Sequence, residues 1–321
     1  MKKILVDFSG ALTLTEVPPP VLHDNDVQIK VQAIGVNFAD IKIRNGYYLK
    51  NPGKPTEMGT EISGIVERAG RDAHRFNVGD KVIAVWHWGG GYAETVCVPE
   101  FSVHRMPVHL SFEQGAAFVV TFQTAYHALK TTANIQPGET VLIHSAGGGV
   151  GTAAVQLAKL FGAKVFAAAS SPEKLERLKR LGADVGINYS DGNVKEVVMQ
   201  HTQGKGVDCI LDGNGGPNFE RNLDLATLRG KIVLYGNSAG PIPPLDPYRL
   251  VYSSQQILGF SMRSITAHPE LLEQSYNDII GWIEAGKIKA EVGHVLSLAD
   301  ADMAHRLMLE RKNYGKIVLI P

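Results

Sequence analysis

A glycine-rich turn lies near the middle of the 321-residue sequence, between two apolar segments. It reads Ala146-Gly-Gly-Gly-Val-Gly151; an apolar run at 141–143 precedes it, and apolar residues at helical spacing follow it. This pattern indicates a strand, a tight turn and a helix. Gly148 would let the backbone approach a pyrophosphate, Gly151 would let the helix pack close to the strand, and the helix N-terminus would offer free N–H groups to the anion. The turn therefore resembles a dinucleotide-binding G-x-G-x-x-G motif, with Ala146 in place of the first glycine.

Strands alternate with helices after this turn, and the alternation favours a dinucleotide-binding unit over an isolated tight turn. The spacing predicts a parallel, doubly wound Rossmann sheet. The expected strands are 163–169, 185–188, 207–212 and 231–235, and the expected helices are 172–181, 194–202 and 219–228.

The residues after the second strand indicate which dinucleotide binds. Enzymes that use NAD usually place a carboxylate there, which accepts a hydrogen bond from the ribose 2′-hydroxyl. This sequence has Ser170 and Ser171 instead, and Lys174 one turn into the next helix. Because hydroxyls and an ammonium group can bind a 2′-phosphate, we predict a strong preference for NADPH over NADH. The alternative is that Ser171 only caps the helix, with Pro172 at its first position, and that Lys174 is solvated.

The two ends of the chain show a different pattern. Short strands separated by Gly, Pro and Asp turns predict a mostly antiparallel, barrel-like β domain in the first 120 residues, and the C-terminal segments are again rich in strands. We therefore expect a Rossmann domain over 121–261, inserted into a catalytic domain formed by 1–120 and 262–321. A cleft between two such domains is a favoured place for ligands.

Composition narrows the functional class. The 32 basic and 32 acidic residues give no net charge, which makes nucleic acids and anionic membranes poor candidates as partners. No stretch approaches the roughly 18 apolar residues of a membrane span. Cys97 and Cys209 lie in separate apolar segments, which favours buried thiols over a disulfide. We expect a cytoplasmic protein with a small-molecule substrate.

Short motifs along nearly the whole chain resemble those of one known family. They read Gly35-Val-Asn-Phe-Ala-Asp40, Arg44-Asn-Gly-Tyr-Tyr48, Gly59-Thr-Glu-Ile-Ser-Gly64, Gly79-Asp-Lys-Val82, Gly91-Tyr-Ala-Glu94, Gln114-Gly-Ala-Ala117, the glycine-rich turn, and Tyr235-Gly-Asn-Ser-Ala-Gly240. In order and spacing they resemble the zinc-free, zeta-crystallin-like quinone oxidoreductases among the medium-chain dehydrogenases/reductases. The resemblance implies a GroES-like catalytic domain and an NADPH-dependent reductase of quinones or conjugated carbonyls, usually a cytosolic homodimer.

The resemblance also implies roles for individual residues. Asn37 corresponds to an asparagine beside the nicotinamide and the substrate, and Tyr48 to a tyrosine of the same pocket. Asn37 could instead be a turn residue, and Tyr47 could be the ring that points inward. Asp40 and Glu61 are more simply explained as capping or buried structural carboxylates. The predicted cofactor contacts are Asn37, Thr124, Ala146, Gly148, Gly149, Val150, Gly151, Ser170, Ser171, Lys174, Tyr189, Gly236, Asn237 and Arg311.

We predict that the enzyme holds no metal. Zinc-containing relatives place a cysteine near the Asn37 position and a histidine at the Thr60 position, and zinc needs about three or four N or S ligands. Without a Lewis acid, a quinone is the easier substrate. Hydride transfer to it leaves a phenolate whose conjugate acid has a pKa of roughly 10, whereas the alkoxide from an isolated ketone has a conjugate acid with a pKa of about 16. The gap corresponds to roughly 8 kcal/mol.

Two other functions remain open. A 2-alkenal or enone reductase would use the same residues, with a hydrogen-bond donor at the substrate oxygen. A non-catalytic, crystallin-like or RNA-binding protein is the alternative of another class, which the neutral charge and the intact cofactor motifs disfavour. For the homodimer, the apolar segment 255–260 offers a strand edge that could pair across a two-fold axis.

Overall fold

The structure is a computed structural model that describes residues 1–7, 9–47, 57–86 and 89–321. Strands are numbered in chain order. They are β1 Lys2–Val6, β2 Leu12–Glu16, β3 Asp26–Val36, β4 Glu61–Ala69, β5 Lys81–Val85, β6 Thr95–Pro99, β7 Val103–Arg105, β8 Thr140–Ile143, β9 Lys164–Ala169, β10 Val185–Asn188, β11 Val207–Asp212, β12 Ala226–Leu234, β13 Gln256–Gly259, β14 Val292–Ser297 and β15 Lys316–Ile320.

The α-helices are numbered in the same way, and short 3-10 turns and one π-helical segment, His127–Thr132, lie among them. The helices are α1 Phe38–Arg44, α2 Phe112–Gly115, α3 Val119–Tyr126, α4 Gly149–Leu160, α5 Pro172–Arg180, α6 Val194–His201, α7 Arg221–Leu225, α8 Pro247–Ser253, α9 Met262–Thr266, α10 Pro269–Glu284 and α11 Ala301–Leu309. No helix in the described part of the chain is both long enough and apolar enough to cross a membrane.

The chain divides into two compact units, each with its own core. The first unit combines Met1–Val120 with Ala290–Pro321, and the second is Thr121–Lys289. Residues 262–289, which we expected in the catalytic domain, therefore belong to the second unit, and that expectation was wrong. Helix α10 packs there because Ser275 Oγ donates to Gln123 Oε1 at 2.7 Å.

The second unit contains a parallel sheet with the strand order β10-β9-β8-β11-β12-β13. Strand β8 lies between β9 and β11. From β8 the chain continues to β9 and β10 on one side of the sheet, and it then crosses to β11, β12 and β13 on the other side. Ligands of doubly wound sheets bind at the carboxyl ends of the strands next to such a change of side. The Rossmann fold expected from the sequence is confirmed.

The first unit contains a mostly antiparallel sheet with the order β14-β15-β3-β4-β5-β7, and β6 also pairs with β3. The last strand, β15, lies antiparallel to β3, with Ile317 opposite Val36. On the other side of β3, Ile34 lies opposite Ile62 of β4. The expected antiparallel β domain is confirmed, and strand β15 brings the C-terminal segment against the N-terminal part of the same unit.

Helix α7 is shorter than the helix expected over 219–228. It ends at Leu225, and strand β12 begins at Ala226. Within β12, Arg229 has a φ of 63°, which interrupts regular helical or strand geometry. The residue types around 225 and 226 do not predict that the helix ends there and a strand begins.

Candidate active site

The glycine-rich turn links β8 to α4 as the sequence predicted. Ala146 is fully buried, and its N–H donates to Ala168 O of β9 at 2.9 Å, which fixes the turn against the sheet. Helix α4 begins at Gly149 with Gly148 as its N-cap, and no side chain among the described residues caps it. The N–H groups of its first turn are therefore available to an anion, where the helix dipole also favours negative charge.

Two glycines of this turn have different surroundings. A Cβ on Gly151 would lie 2.5 Å from both Ala146 Cα and Ser145 O, so only glycine allows this close packing of helix on turn. A Cβ on Gly148 would come no closer than 3.4 Å to Ser145 O. The space beside Gly148 is open, as a site for a phosphate group requires.

Lys174 lies beside the same turn. A Cβ on Gly147 would lie 3.0 Å from Lys174 Cδ, so the aliphatic part of the lysine packs over this glycine. Burial lowers the pKa of the Lys174 ammonium from its usual value. Ser171 caps α5 by accepting the Lys174 N–H at 3.4 Å, and Ser170 precedes it at the end of β9. The structure therefore has both the Ser171 cap of α5 and the Lys174 side chain packed beside the glycine-rich turn.

Further candidates lie at the ends of other strands of this sheet. Tyr189 follows β10 in a 3-10 turn and is half-buried against the apolar core of the second unit. Gly236 follows β12, and a Cβ there would lie 2.5 Å from Gly213 O, in the loop after β11. Asn237 is the next residue and is half-buried. Because the sheet is parallel, the ends of β8, β9, β10 and β12 lie along one edge, so the predicted residues share that edge.

The remaining cofactor candidates lie on other elements of the chain. Thr124 is half-buried within α3, outside the loops that follow the strands. Arg311 belongs to the first unit, where it is exposed just after α11 with a φ of 56°. Tyr48, the second predicted catalytic residue, lies outside the described residues.

In the first unit, Asn37 is the N-cap of α1 and only 8% exposed. Its Oδ1 accepts a hydrogen bond from Lys316 Nζ at 2.6 Å. Its Nδ2 donates to Gly35 O and to Glu61 Oε2, both at 3.3 Å. Asn37 therefore both begins α1 as its N-cap and hydrogen-bonds buried partners through its side chain.

Glu61 and Lys316 form a buried ion pair. Lys316 Nζ lies 2.7 Å from Glu61 Oε2, and their side chains are 3% and 0% exposed. The other carboxylate oxygen, Oε1, accepts the Val120 N–H at 2.9 Å. Burial of charge is tolerated only when both partners are paired and hydrogen-bonded, as they are here. The expectation that Glu61 is a buried structural carboxylate agrees with this geometry.

A second buried polar chain adjoins Asn37. Asp40 Oδ2 accepts the Asn37 N–H at 2.8 Å and the Tyr92 hydroxyl at 3.3 Å. The Tyr92 hydroxyl lies 3.1 Å from His305 Nε2. Burial raises the pKa of Asp40 to about 6, although the N–H groups of Asn37 and Gly59 oppose the rise. Burial lowers the pKa of His305 to about 4, so this histidine is neutral at pH 7.

Lys316 is the residue of this site that the sequence analysis missed. It appeared only as the first residue of an apolar strand. The one signal was a single lysine at the start of the run Lys316–Ile320, and such a residue is usually solvated at a strand end. Its partners are 279 and 255 residues away in the sequence, so no local pattern could identify them.

The described residues of the first unit offer no counterpart to the zinc ligands of zinc-containing relatives. Asn37 and Thr60 stand at the two positions, and the Asn37 side chain is bound to an ammonium group. Within the part of the chain that the structure describes, no group of three or more His, Cys, Asp and Glu side chains is arranged to hold a metal ion. The described residues of the first unit do not fit a zinc site.

Comparisons with known proteins agree with this architecture. The family described as alcohol dehydrogenase GroES-like domain matches residues 23–108, and the family described as zinc-binding dehydrogenase matches residues 149–277. The quinone oxidoreductase of Pseudomonas aeruginosa is 35% identical over 301 residues, covering 92% of this chain and 91% of that protein.

Two solved structures are also similar. Escherichia coli quinone oxidoreductase complexed with NADPH has a TM-score of 0.93 and 31% identity, and all of both chains is covered. The CurK enoyl reductase has a TM-score of 0.88 and 29% identity, with 99% of this chain and 98% of that chain covered.

Proposed function

Because the chain belongs to the quinone oxidoreductase family of medium-chain dehydrogenases/reductases, we propose that it is an NADPH-dependent quinone reductase that works without a metal. The observation that carries the proposal is the placement of Lys174 against the glycine-rich turn, just beyond β9, where Ser170 and Ser171 follow the strand instead of a carboxylate. The nearest carboxylate is Glu173 in the first turn of α5, which hydrogen-bonds Ser171. A cation at this position supports the binding of a 2′-phosphate.

The residues present fit NADPH. The first turn of α4 offers uncapped N–H groups, Gly148 leaves room for the pyrophosphate, and Lys174 supplies a half-buried positive charge. A charged partner in partly desolvated surroundings binds phosphate more strongly than a fully solvated one. Bound NADPH would supply the reducing equivalents, and the residues of the chain bind and orient it.

The first unit would supply the polar contact to the substrate. Asn37 Nδ2 makes two hydrogen bonds of 3.3 Å, which are longer than the usual 2.9 to 3.0 Å. Such weak hydrogen bonds can be exchanged for one to a substrate oxygen at little cost. A quinone needs no more than this, because its reduced form carries the developing charge as a phenolate.

Reduction of a conjugated carbon–carbon double bond is the second candidate, favoured by the likeness to an enoyl reductase. NADPH oxidation with 1,4-benzoquinone and with a short 2-alkenal separates the two. Faster turnover of the quinone supports the proposed function, and turnover of the alkenal alone would replace it. No oxidation with either substrate would contradict both.

We also propose a homodimer joined through the second unit. Strand β13 is at the edge of the parallel sheet, and α8, just before it in the chain, exposes Tyr248, Val251 and Tyr252 by 65%, 67% and 85%. Exposed apolar residues just before an edge strand support pairing with a second copy. Light scattering should give about twice the 34.8 kDa chain mass, and a monomer mass at micromolar concentration would contradict this proposal.

The cytoplasmic location remains part of the proposal. Both cysteines are free, and burial raises the pKa of Cys97 to about 11 and that of Cys209 to about 12. Such thiols suit a reducing compartment. Fractionation of cells that express the tagged protein would test this point.

A further inference from the structure

We propose that Lys316 is a positioning residue that sets the orientation of the Asn37 carboxamide, so that Asn37 presents N–H donors to the substrate. The inference rests on the proposed function, because it gives Asn37 a partner in that reaction. Three observations carry it: the chemistry of the Lys316–Asn37 contact, the strand register that creates it, and the glycine that leaves room for it.

The contact itself determines the orientation of the amide. An ammonium group has three donors and no acceptor, so the Asn37 atom that faces it at 2.6 Å must be the oxygen. The nitrogen then lies on the opposite side of the amide, where it donates to Gly35 O and Glu61 Oε2. With a neutral, apolar residue at 316, the oxygen would lose this donor, and only the two 3.3 Å hydrogen bonds from the nitrogen to Gly35 O and Glu61 Oε2 would oppose a 180° rotation that replaces the donor with an acceptor.

The strand register brings the three side chains together. Ile317 pairs with Val36, so Lys316 lies opposite Asn37 at the ends of β15 and β3. Glu61 begins β4, on the other side of β3. The Lys316 side chain must therefore cross β3 to reach the Glu61 carboxylate.

Gly35 makes this crossing possible. A Cβ on Gly35 would collide first with the backbone oxygen of Ala116, and it would also lie 2.9 Å from Glu61 Oε2 and 3.0 Å from Lys316 Cε. Any larger residue would thus push into the ion pair. Glu61 Oε2 holds the Lys316 ammonium at 2.7 Å and also accepts the Asn37 Nδ2 hydrogen bond at 3.3 Å, so Lys316 and Glu61 together fix the amide.

Substitutions can separate positioning from simple stabilisation. Lys316→Met alone leaves Glu61 as an unpaired buried charge, so the melting temperature should fall. The double variant Lys316→Met/Glu61→Gln removes both charges with little change of shape, so its melting temperature should recover towards that of the unmodified protein. Lys312→Met, which removes an exposed lysine of the same unit, is the matched control and should alter neither stability nor turnover.

The decisive readout is turnover of 1,4-benzoquinone at saturating NADPH. We expect kcat of the double variant to fall by about tenfold to a hundredfold, with a smaller change in KM. In an Asn37→Ala background, the same two substitutions should change kcat by no more than about twofold, because the amide they orient is gone. Full kcat in the double variant, or losses that multiply with that of Asn37→Ala, would overturn the inference.

A measurement without turnover keeps this inference separate from the proposed function. In a ¹⁵N-labelled sample, the Asn37 side-chain NH₂ signals, identified by their loss in Asn37→Ala, should exchange slowly with solvent in the unmodified protein and faster in the double variant. Equal exchange in both would contradict positioning by Lys316. If the exchange differs as expected but no quinone is reduced, only the proposed function fails.

Discussion

Lys174 packs its aliphatic chain over Gly147, so that a Cβ on that glycine would lie 3.0 Å from Lys174 Cδ. This contact joins the first turn of α5, which follows the second strand of the parallel sheet, to the glycine-rich turn that follows the first. In the proposed function, these neighbouring elements would bind the phosphate on the adenine ribose and the pyrophosphate. The contact gives the expected NADPH preference a physical basis.

Replacing Lys174 with alanine should weaken the binding of NADPH much more than that of NADH. One charge-assisted hydrogen bond is worth roughly 1.5 to 3 kcal/mol, so we expect a loss of about tenfold to a hundredfold in NADPH affinity. Fluorescence titration with each cofactor measures the effect. Lys179→Ala, in the exposed last turn of the same helix, is the control. Equal losses for both cofactors would show that Lys174 does not contact the 2′-phosphate.

Two glycine substitutions should separate cofactor binding from folding. Gly148→Ala adds a methyl group that meets nothing closer than 3.4 Å, so the melting temperature should stay nearly unchanged. The methyl would occupy space needed by the pyrophosphate, and NADPH affinity should fall by about tenfold or more. Gly151→Ala instead places a Cβ 2.5 Å from backbone atoms and should destabilise the fold. If Gly148→Ala binds NADPH normally, the turn does not hold the pyrophosphate.

The sequence predicted this part of the fold well because its signals are local. Apolar periodicity, the glycines and the Ser171-Pro172 cap all act within a few residues of one another, and each is present in the structure. Helix α8 was missed, although Asp246 caps it and Pro247 is at its first position. Its apolar residues are largely exposed, so there was no apolar periodicity pointing to a core.

Long-range contacts explain what the sequence could not predict. The role of Lys316 depends on the register of β15 against β3, between segments at opposite ends of the chain. The assignment of α10 to the second unit likewise depends on hydrogen bonds between Ser275 and the distant Gln123 and His127. The residues of each pair lie far apart in the sequence, so no local pattern identifies which of them meet.

His127 should make stability depend on pH. It is 1% exposed, and burial, followed by the nearby charge of Lys130, lowers its pKa from 6.5 to about 4. The unfolded chain therefore binds a proton that the folded chain does not between these values, so this contribution is complete above pH 6.5 and is lost as the pH falls towards 4. The slope should not exceed about 1.4 kcal/mol per pH unit.

The variant His127→Gln isolates this effect. It keeps polar atoms near Gln123 and Ser275 but cannot titrate, so urea unfolding between pH 7 and pH 5 should show a smaller loss of stability than in the unmodified protein. His201→Gln, at an exposed position, is the control. An unchanged slope in His127→Gln would mean that folding does not lower the pKa of His127.

Removal of metals should leave the activity intact. The Asn37 oxygen is bound to Lys316 and residue 60 is a threonine, so the positions of the usual zinc ligands cannot form a site. Elemental analysis should find no stoichiometric zinc, and quinone turnover should survive treatment with a chelator. Loss of turnover that added zinc restores would contradict the account of Asn37 and Lys316.

The ratio of kcat/KM for NADPH and NADH, measured with 1,4-benzoquinone as acceptor, tests the proposed function most directly. It requires both quinone reduction and recognition of the 2′-phosphate by the site around Lys174 and Ser171. The account predicts clear turnover and a kcat/KM at least about tenfold higher with NADPH. Equal values for the two cofactors, or no turnover of the quinone, would contradict it.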